Sequence, residues 1–129
     1  MFEQDYIMRE IDIMIRIIMK LVFGKERKSD SALWQEVFGS LRDKNGEPDD
    51  LVRLLNEKRL KEAEGVLFER ITNRRQDDLL TGLAFYDYLQ SLSPEELEIS
   101  KYTPEDAAAG MKHLLQTYGL EQINGLFLT

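Results

Sequence analysis

Apolar residues recur through the first twenty-odd positions at a spacing no strand could use. Ile7, Met8, Ile11, Met14, Ile15, Ile17, Ile18, Met19, Leu21 and Val22 advance at about 100° per residue and spread over roughly 200° of a helix, twice the stripe of an ordinary surface helix. Asp5, Arg9, Asp12, Arg16 and Lys20 hold the narrow polar ridge that is left, with Ile13 at its border. The pattern predicts one long helix from about Tyr6 to Phe23, stopped at Gly24. It leaves more apolar surface than a small bundle readily covers. Within it, Ile7, Ile11, Met14, Ile18 and Leu21 step by four, three, four and three residues, the spacing of a helix–helix seam.

Shorter helical patterns follow. Leu33, Trp34, Val37, Phe38 and Leu41 mark a helix that Asp30 or Ser31 can cap. An Asn45–Gly46 turn and Pro48-Asp49-Asp50 then introduce a helix carrying Leu51, Leu54 and Leu55. A polar turn near Lys58 separates it from a second helix with Leu60, Ala63, Leu67 and Ile71, so the stretch Leu54–Phe68 reads as a helical hairpin. Leu79, Leu80, Leu83, Phe85, Tyr86, Leu89 and Leu92 predict a long helix between Gln76 and Leu92, opened by Asp77 and Asp78. Ser93-Pro94-Glu95-Glu96 and Thr103-Pro104-Glu105-Asp106 are two capping-box starts. The second begins a helix with Ala107, Ala108, Met111, Leu114, Leu115 and Tyr118 that stops at Gly119. A short apolar tail, Ile123, Leu126, Phe127 and Leu128, is expected to dock back onto the bundle.

These patterns predict an all-α, compact bundle of about six to seven helices, one domain over residues 1–129 with a long apolar N-terminal helix over 1–24. With 43% apolar and 32% charged residues the composition is that of an ordinary globular chain. Acidic Glu3 and Asp5 precede the first apolar run and charges interrupt it, which suits neither a signal peptide nor a transmembrane helix. The absence of cysteine removes thiol chemistry and fits a reducing compartment, so a cytoplasmic location is expected. A net charge of −7 argues against nucleic acid as a partner. Residues 1–28 hold six basic and five acidic side chains, a net of +1, leaving −8 for the rest. Lys25, Arg27 and Lys28, following the amphipathic helix, could face an anionic membrane surface or form a solvated loop.

No catalytic, cofactor-binding or metal-binding constellation emerges. His113 is the only histidine, and its helical neighbours make it a surface or boundary residue. The acid pairs Asp77–Asp78 and Glu95–Glu96 sit at helix starts, where they favour the dipole, and adjacent positions do not face one another. A calcium loop with Gly46 at position six would put Leu41 at position one and Val52 at position twelve, where carboxylates are needed.

The Leu54–Phe68 stretch resembles the turn and second helix of a tetratricopeptide hairpin, in which an alanine precedes a large apolar residue by four positions, as Ala63 precedes Leu67. Leu51, Arg70 and Arg75 stand where that repeat has glycine, alanine and proline, and no second copy follows at the repeat spacing. Taken together, Met1-Phe2-Glu3-Gln4-Asp5-Tyr6-Ile7-Met8-Arg9, Phe23-Gly24-Lys25, Leu92-Ser93-Pro94-Glu95-Glu96-Leu97 and Tyr118-Gly119-Leu120 resemble an uncharacterised family of short bacterial helical proteins. That resemblance implies a bacterial cytoplasmic source and carries over no catalytic residues. The resulting expectation is a non-enzymatic interaction or scaffold module, needing no cofactor, that forms a homodimer through Ile7, Ile11, Met14, Ile18 and Leu21. The hairpins would offer a surface to an unidentified protein partner. The alternatives are a monomer whose later helices wrap the first completely, and a peripheral protein whose first helix lies on a membrane.

Overall fold

The computed structural model describes residues 2–25, 32–73 and 75–120. Its elements are α1 (Phe2–Phe23), α2 (Leu33–Ser40), α3 (Asp50–Asn56), α4 (Leu60–Arg70), a 3-10 turn (Ile71–Asn73), α5 (Gln76–Leu89), α6 (Pro94–Ile99) and α7 (Pro104–Thr117). The only β-type pairing among the described residues is an isolated bridge between Arg42 and Pro48. The all-α architecture expected from periodicity is therefore what forms. Gly82 lies beside Leu114 and Gly110 beside Tyr86, so α5 and α7 run antiparallel. Met8 and Arg9 share a cleft with Leu89 and Gln90, while Met19 shares one with Leu80. Helix α1 is accordingly antiparallel to α5 and parallel to α7.

The local signals act largely as their chemistry dictates. Gly24 adopts φ +65° and ends α1, with the Lys25 N–H reaching the Met19 carbonyl at 3.1 Å. Both capping boxes form. Ser93 Oγ accepts from the Glu96 N–H at 3.1 Å while Glu96 Oε1 accepts from the Ser93 N–H at 3.0 Å. Thr103 and Asp106 make the equivalent pair at 3.0 and 2.9 Å. The predicted hairpin turn is present at Lys58, which takes φ +61°. There the Arg59 N–H bonds the Leu54 carbonyl at 2.9 Å. Asp49 caps α3 by accepting the Leu51 N–H at 2.9 Å, and the same oxygen receives Arg70 Nη2 at 2.5 Å, which fastens the start of α3 to the end of α4.

Helix α2 departs from expectation. Its N-cap is Ala32, which has no side chain to offer, and the proposed caps Asp30 and Ser31 lie outside the described residues. The cap comes instead from another helix: the carboxylate of Asp87 in α5 accepts the Trp34 N–H at 3.1 Å. An orphan donor of the first turn is thus satisfied across 53 positions of sequence.

The core forms around α5 rather than α1. Every residue from Gly82 to Leu89 is buried, and α5 packs against α1, α2, α4 and α7. Polar members of that run are each matched. Tyr86 Oη donates to Glu64 Oε2 at 2.7 Å and Tyr102 Oη donates to the same oxygen at 2.6 Å. Tyr88 Oη donates to the Leu55 carbonyl at 3.2 Å and accepts from Lys58 Nζ at 2.8 Å. The close approach of α7 at this node depends on Gly110, where an added Cβ would overlap both Tyr86 Oη and Glu64 Oε2. Burial, above all, pushes the Tyr86 and Tyr102 phenols far above their ordinary value, with the Glu64 charge adding to it.

Candidate interaction surface

Helix α1 presents two unlike faces. Ile11, Met14, Ile15 and Ile18 are fully buried and Met19 nearly so, packed in the core that α1 shares with α7 and α5. Roughly a third of a turn away at about 100° per residue, Tyr6, Ile13 and Leu21 are 62%, 37% and 68% exposed, with half-buried Ile17 between them. Steps of seven, four and four residues align these four side chains into one stripe.

The five residues expected to form a pairing seam are therefore divided. Ile11, Met14 and Ile18 are enclosed by the chain's own helices, Ile7 is half-buried against the core, and Leu21 alone stands fully open. The four-three spacing of a seam also describes an ordinary core-facing stripe, and here neighbouring helices of the same chain occupy it. Among the described residues, the later helices leave one stripe of α1 uncovered.

The outer stripe has an asymmetric border. Arg9, Arg16 and Lys20 lie along one side and are exposed; Arg16 Nε donates to Asp12 Oδ2 at 3.0 Å. Within the stripe, four residues on from Tyr6, half-buried Glu10 holds the Tyr6 hydroxyl, and that hydrogen bond, followed by the carboxylate's charge, raises the Tyr6 phenol above its usual value. Of the basic cluster after α1, only Lys25 is described; Glu26, Arg27 and Lys28, like the apolar tail at Ile123, Leu126, Phe127 and Leu128, lie outside the described residues.

Two open clefts flank α1. One, of about 310 Å³, lies between its N-terminal half, the end of α5, α6 and the start of α7; Arg9 and Asp12 are its charged residues. The other, of about 360 Å³, lies between the end of α1, α2 and α5, with Lys25, Glu36 and Asp77 around an otherwise largely apolar wall. The two hydroxyls in the second, Ser40 and Thr81, donate to the backbone carbonyls of Val37 and Asp77 in their own helices.

Among the described residues, no three His, Asp or Glu side chains are placed to hold a metal ion. The acidic turn that superficially resembles a calcium loop directs its carboxylate at its own backbone: Asp43 Oδ1 accepts the N–H groups of Asn45 and Glu47 at 2.8 and 3.0 Å. His113 is exposed, as its sequence neighbours suggest, and meets Phe68 edge-on with ring centroids 4.6 Å apart. No helix among the described residues is long and apolar enough to cross a membrane.

The Glu64–Tyr86–Tyr102 node escaped the sequence reading. A signal was present, since Leu60, Glu64, Leu67 and Ile71 step by four, three and four and place a carboxylate on the buried stripe of α4. A polar residue at such a position predicts buried donors opposite it.

Neither the curated proteins nor the solved structures yield a match. A family model does match, over residues 1–119, from the start of α1 through α7 to Gly119. The chain belongs to a family of unknown function, DUF6483.

Proposed function

We propose that this protein is a non-enzymatic interaction or scaffold module that self-associates through the outer face of α1. The observation that carries the reading is the aligned exposure of Tyr6, Ile13 and Leu21 on a helix whose core-facing side is fully buried. Burying such side chains contributes ~1.5–3 kcal/mol each before the costs of association. Four side chains fall short of the ~800 Å² per partner in a standard stable interface, so the expected complex is a concentration-dependent homodimer rather than an obligate one. The α3–α4 hairpin, with Ala63 and Leu67 buried as in a tetratricopeptide-like pair, is the surface we assign to a second protein partner. The cysteine-free composition supports a reducing, cytoplasmic setting, such as that of a bacterial cell.

Sedimentation velocity on the wild-type chain and on Leu21→Glu and Ile13→Glu tests the proposal. Both substitutions fall outside the core, so helicity by circular dichroism should be unchanged while the dimer boundary is lost. Wild-type protein that sediments as a monomer at every concentration overturns it. A second reading draws on Arg9, Arg16 and Lys20 beside the same stripe, an arrangement suited to an anionic membrane surface, although the net charge of −7 opposes it. Flotation with vesicles containing phosphatidylserine at low salt, weakened by neutralising those three residues, would favour that reading instead.

A further inference from the structure

We propose that Asn45–Gly46, in the turn between α2 and α3, is a modification site at which the folded chain deamidates spontaneously. The turn is built tightly. The Gly46 N–H donates to the Asp43 carbonyl at 3.1 Å and the Asp43 N–H to the Glu47 carbonyl at 2.8 Å, while Gly46 takes φ +80°, the left-handed geometry of a glycine following a type I turn. Residues 42–47 are all exposed. No hydrogen bond to a described residue restrains the Asn45 side-chain amide, and nothing lies within 4 Å of where a Cβ on Gly46 would be. Glycine places no side chain of its own next to the attacking nitrogen, and the Asn45 amide has freedom to rotate towards it, while the Asp43 carboxylate holds the flanking N–H groups of Asn45 and Glu47.

The step is intramolecular. The Gly46 backbone nitrogen loses its proton to solvent base and attacks Asn45 Cγ. A bond forms between that nitrogen and Cγ, the Cγ–Nδ2 bond breaks, and ammonia leaves with a proton from water. Water then opens the cyclic imide. Opening at Cγ leaves aspartate, and opening at the backbone carbonyl leaves isoaspartate, with the main chain rerouted through the former side chain. The Gly46 N–H bond to Asp43 opposes reaction directly, and the Asp43 contacts to the Asn45 N–H and to both backbone groups of Glu47 hold the turn closed around it, so the folded chain reacts more slowly than an unfolded one, but at an exposed turn. Either product adds a negative charge beside Asp43 and Glu47. Isoaspartate also lengthens the main chain inside a turn whose far side, Asp49, caps α3 and binds Arg70.

Peptide mapping by mass spectrometry tests this on the full-length protein, incubated folded in mildly alkaline and mildly acidic buffer, with a denatured sample in parallel. The expected result is the mass gain of amide to acid on the peptide holding Asn45, faster in the alkaline sample. Part of the product should accept methyl groups from an isoaspartate methyltransferase, and all of it should be absent in Asn45→Gln, whose longer side chain disfavours the ring. A second Asn–Gly pair, Asn124–Gly125, lies outside the described residues and is read separately in the same map. An Asn45 peptide that stays unchanged in the folded protein while the denatured sample converts overturns the proposal, as does conversion confined to Asn124.

Discussion

In α1, isoleucine and methionine fill roughly 200° of the helix, yet Tyr6, Ile13 and Leu21 remain open to solvent. In α5, the run from Gly82 to Leu89 includes two tyrosines, an aspartate and a glycine, yet all of it is buried. The difference lies in neighbours. Helix α5 packs against α1, α2, α4 and α7, whereas α1 leans chiefly on α5 and α7, and two adjacent neighbours cover one side of a cylinder. Apolar content measures what a helix could bury; the number and direction of its neighbours decide what it does bury. The surplus is informative where the two disagree, and on α1 they disagree along the outer stripe.

The sharpest way to break this contrast is to place a charge on each face of α1. Ile18→Asp puts a carboxylate where the side chain is fully buried and should cost roughly 3 kcal/mol or more, measured by denaturant unfolding, or prevent folding altogether. Leu21→Asp, three residues on, should change monomer stability by less than about 0.5 kcal/mol. Equal losses at the two positions would mean that α1 has no free face.

A second set of variants probes how α5 accommodates its polar groups. Gly110→Ala forces a methyl against Tyr86 Oη and Glu64 Oε2, and a loss of ~1–3 kcal/mol in urea titration is expected. Asp87→Ala removes the cap of α2 and leaves the Trp34 N–H without that acceptor, at a cost of ~1–2 kcal/mol by the same titration. Hydrogen exchange should show the loss concentrated at the start of α2.

These two sites also show where the sequence was readable and where it was not. The capping boxes at Ser93 and Thr103, the stop at Gly24 and the turn at Lys58 depend on residues within a few positions of each other, and all four were legible. The partners of Asp87 and Glu64 were not, because they lie 53 positions away at Trp34 and 22 and 38 away at Tyr86 and Tyr102, although spacing alone sets Glu64 on the buried stripe of α4. The same limit applies to the seam on α1. Spacing placed Ile11, Met14 and Ile18 together on one face, but whether that face meets α7 or a second copy is decided by tertiary packing. The outer stripe was visible only in part, as Ile13 bordering the polar ridge and Ile17 flanking the seam on the side away from Met8, Ile15 and Val22.

Smaller effects refine the account of the helix ends. Lys101 holds φ +55° after α6, a conformation that favours glycine, so Lys101→Gly should stabilise by ~0.5–1 kcal/mol, seen as a raised Tm. The backbone N–H groups of Ser93 and Thr103 hold the Glu96 and Asp106 carboxyls below their ordinary values of 4.5 and 3.8. Groups whose folded values are lowered support the fold above the unfolded value and lose that support as pH falls through the folded one. Thermal melts should accordingly decline below about pH 4.5, and the decline should be shallower in Glu96→Gln and Asp106→Asn, which remove the titrating groups. At the other extreme, burial and then the charge of Asp78 push the Tyr118 phenol up to about 12. A raised folded value gives support that is complete below the ordinary 10 and is lost as pH climbs towards 12, so the melts should fall again in that range.

The central claim is that α1 holds the fold with one face and a second copy with the other. Light scattering of the purified chain across a concentration series tests it most directly. The account predicts a molar mass rising from that of one 15.1 kDa chain towards twice that value, with Leu21→Glu staying at the monomer mass and keeping the wild-type melting temperature when both are dilute. A wild-type mass fixed at the monomer value throughout, or a Leu21→Glu, Ile13→Glu double variant that still dimerises, would contradict it.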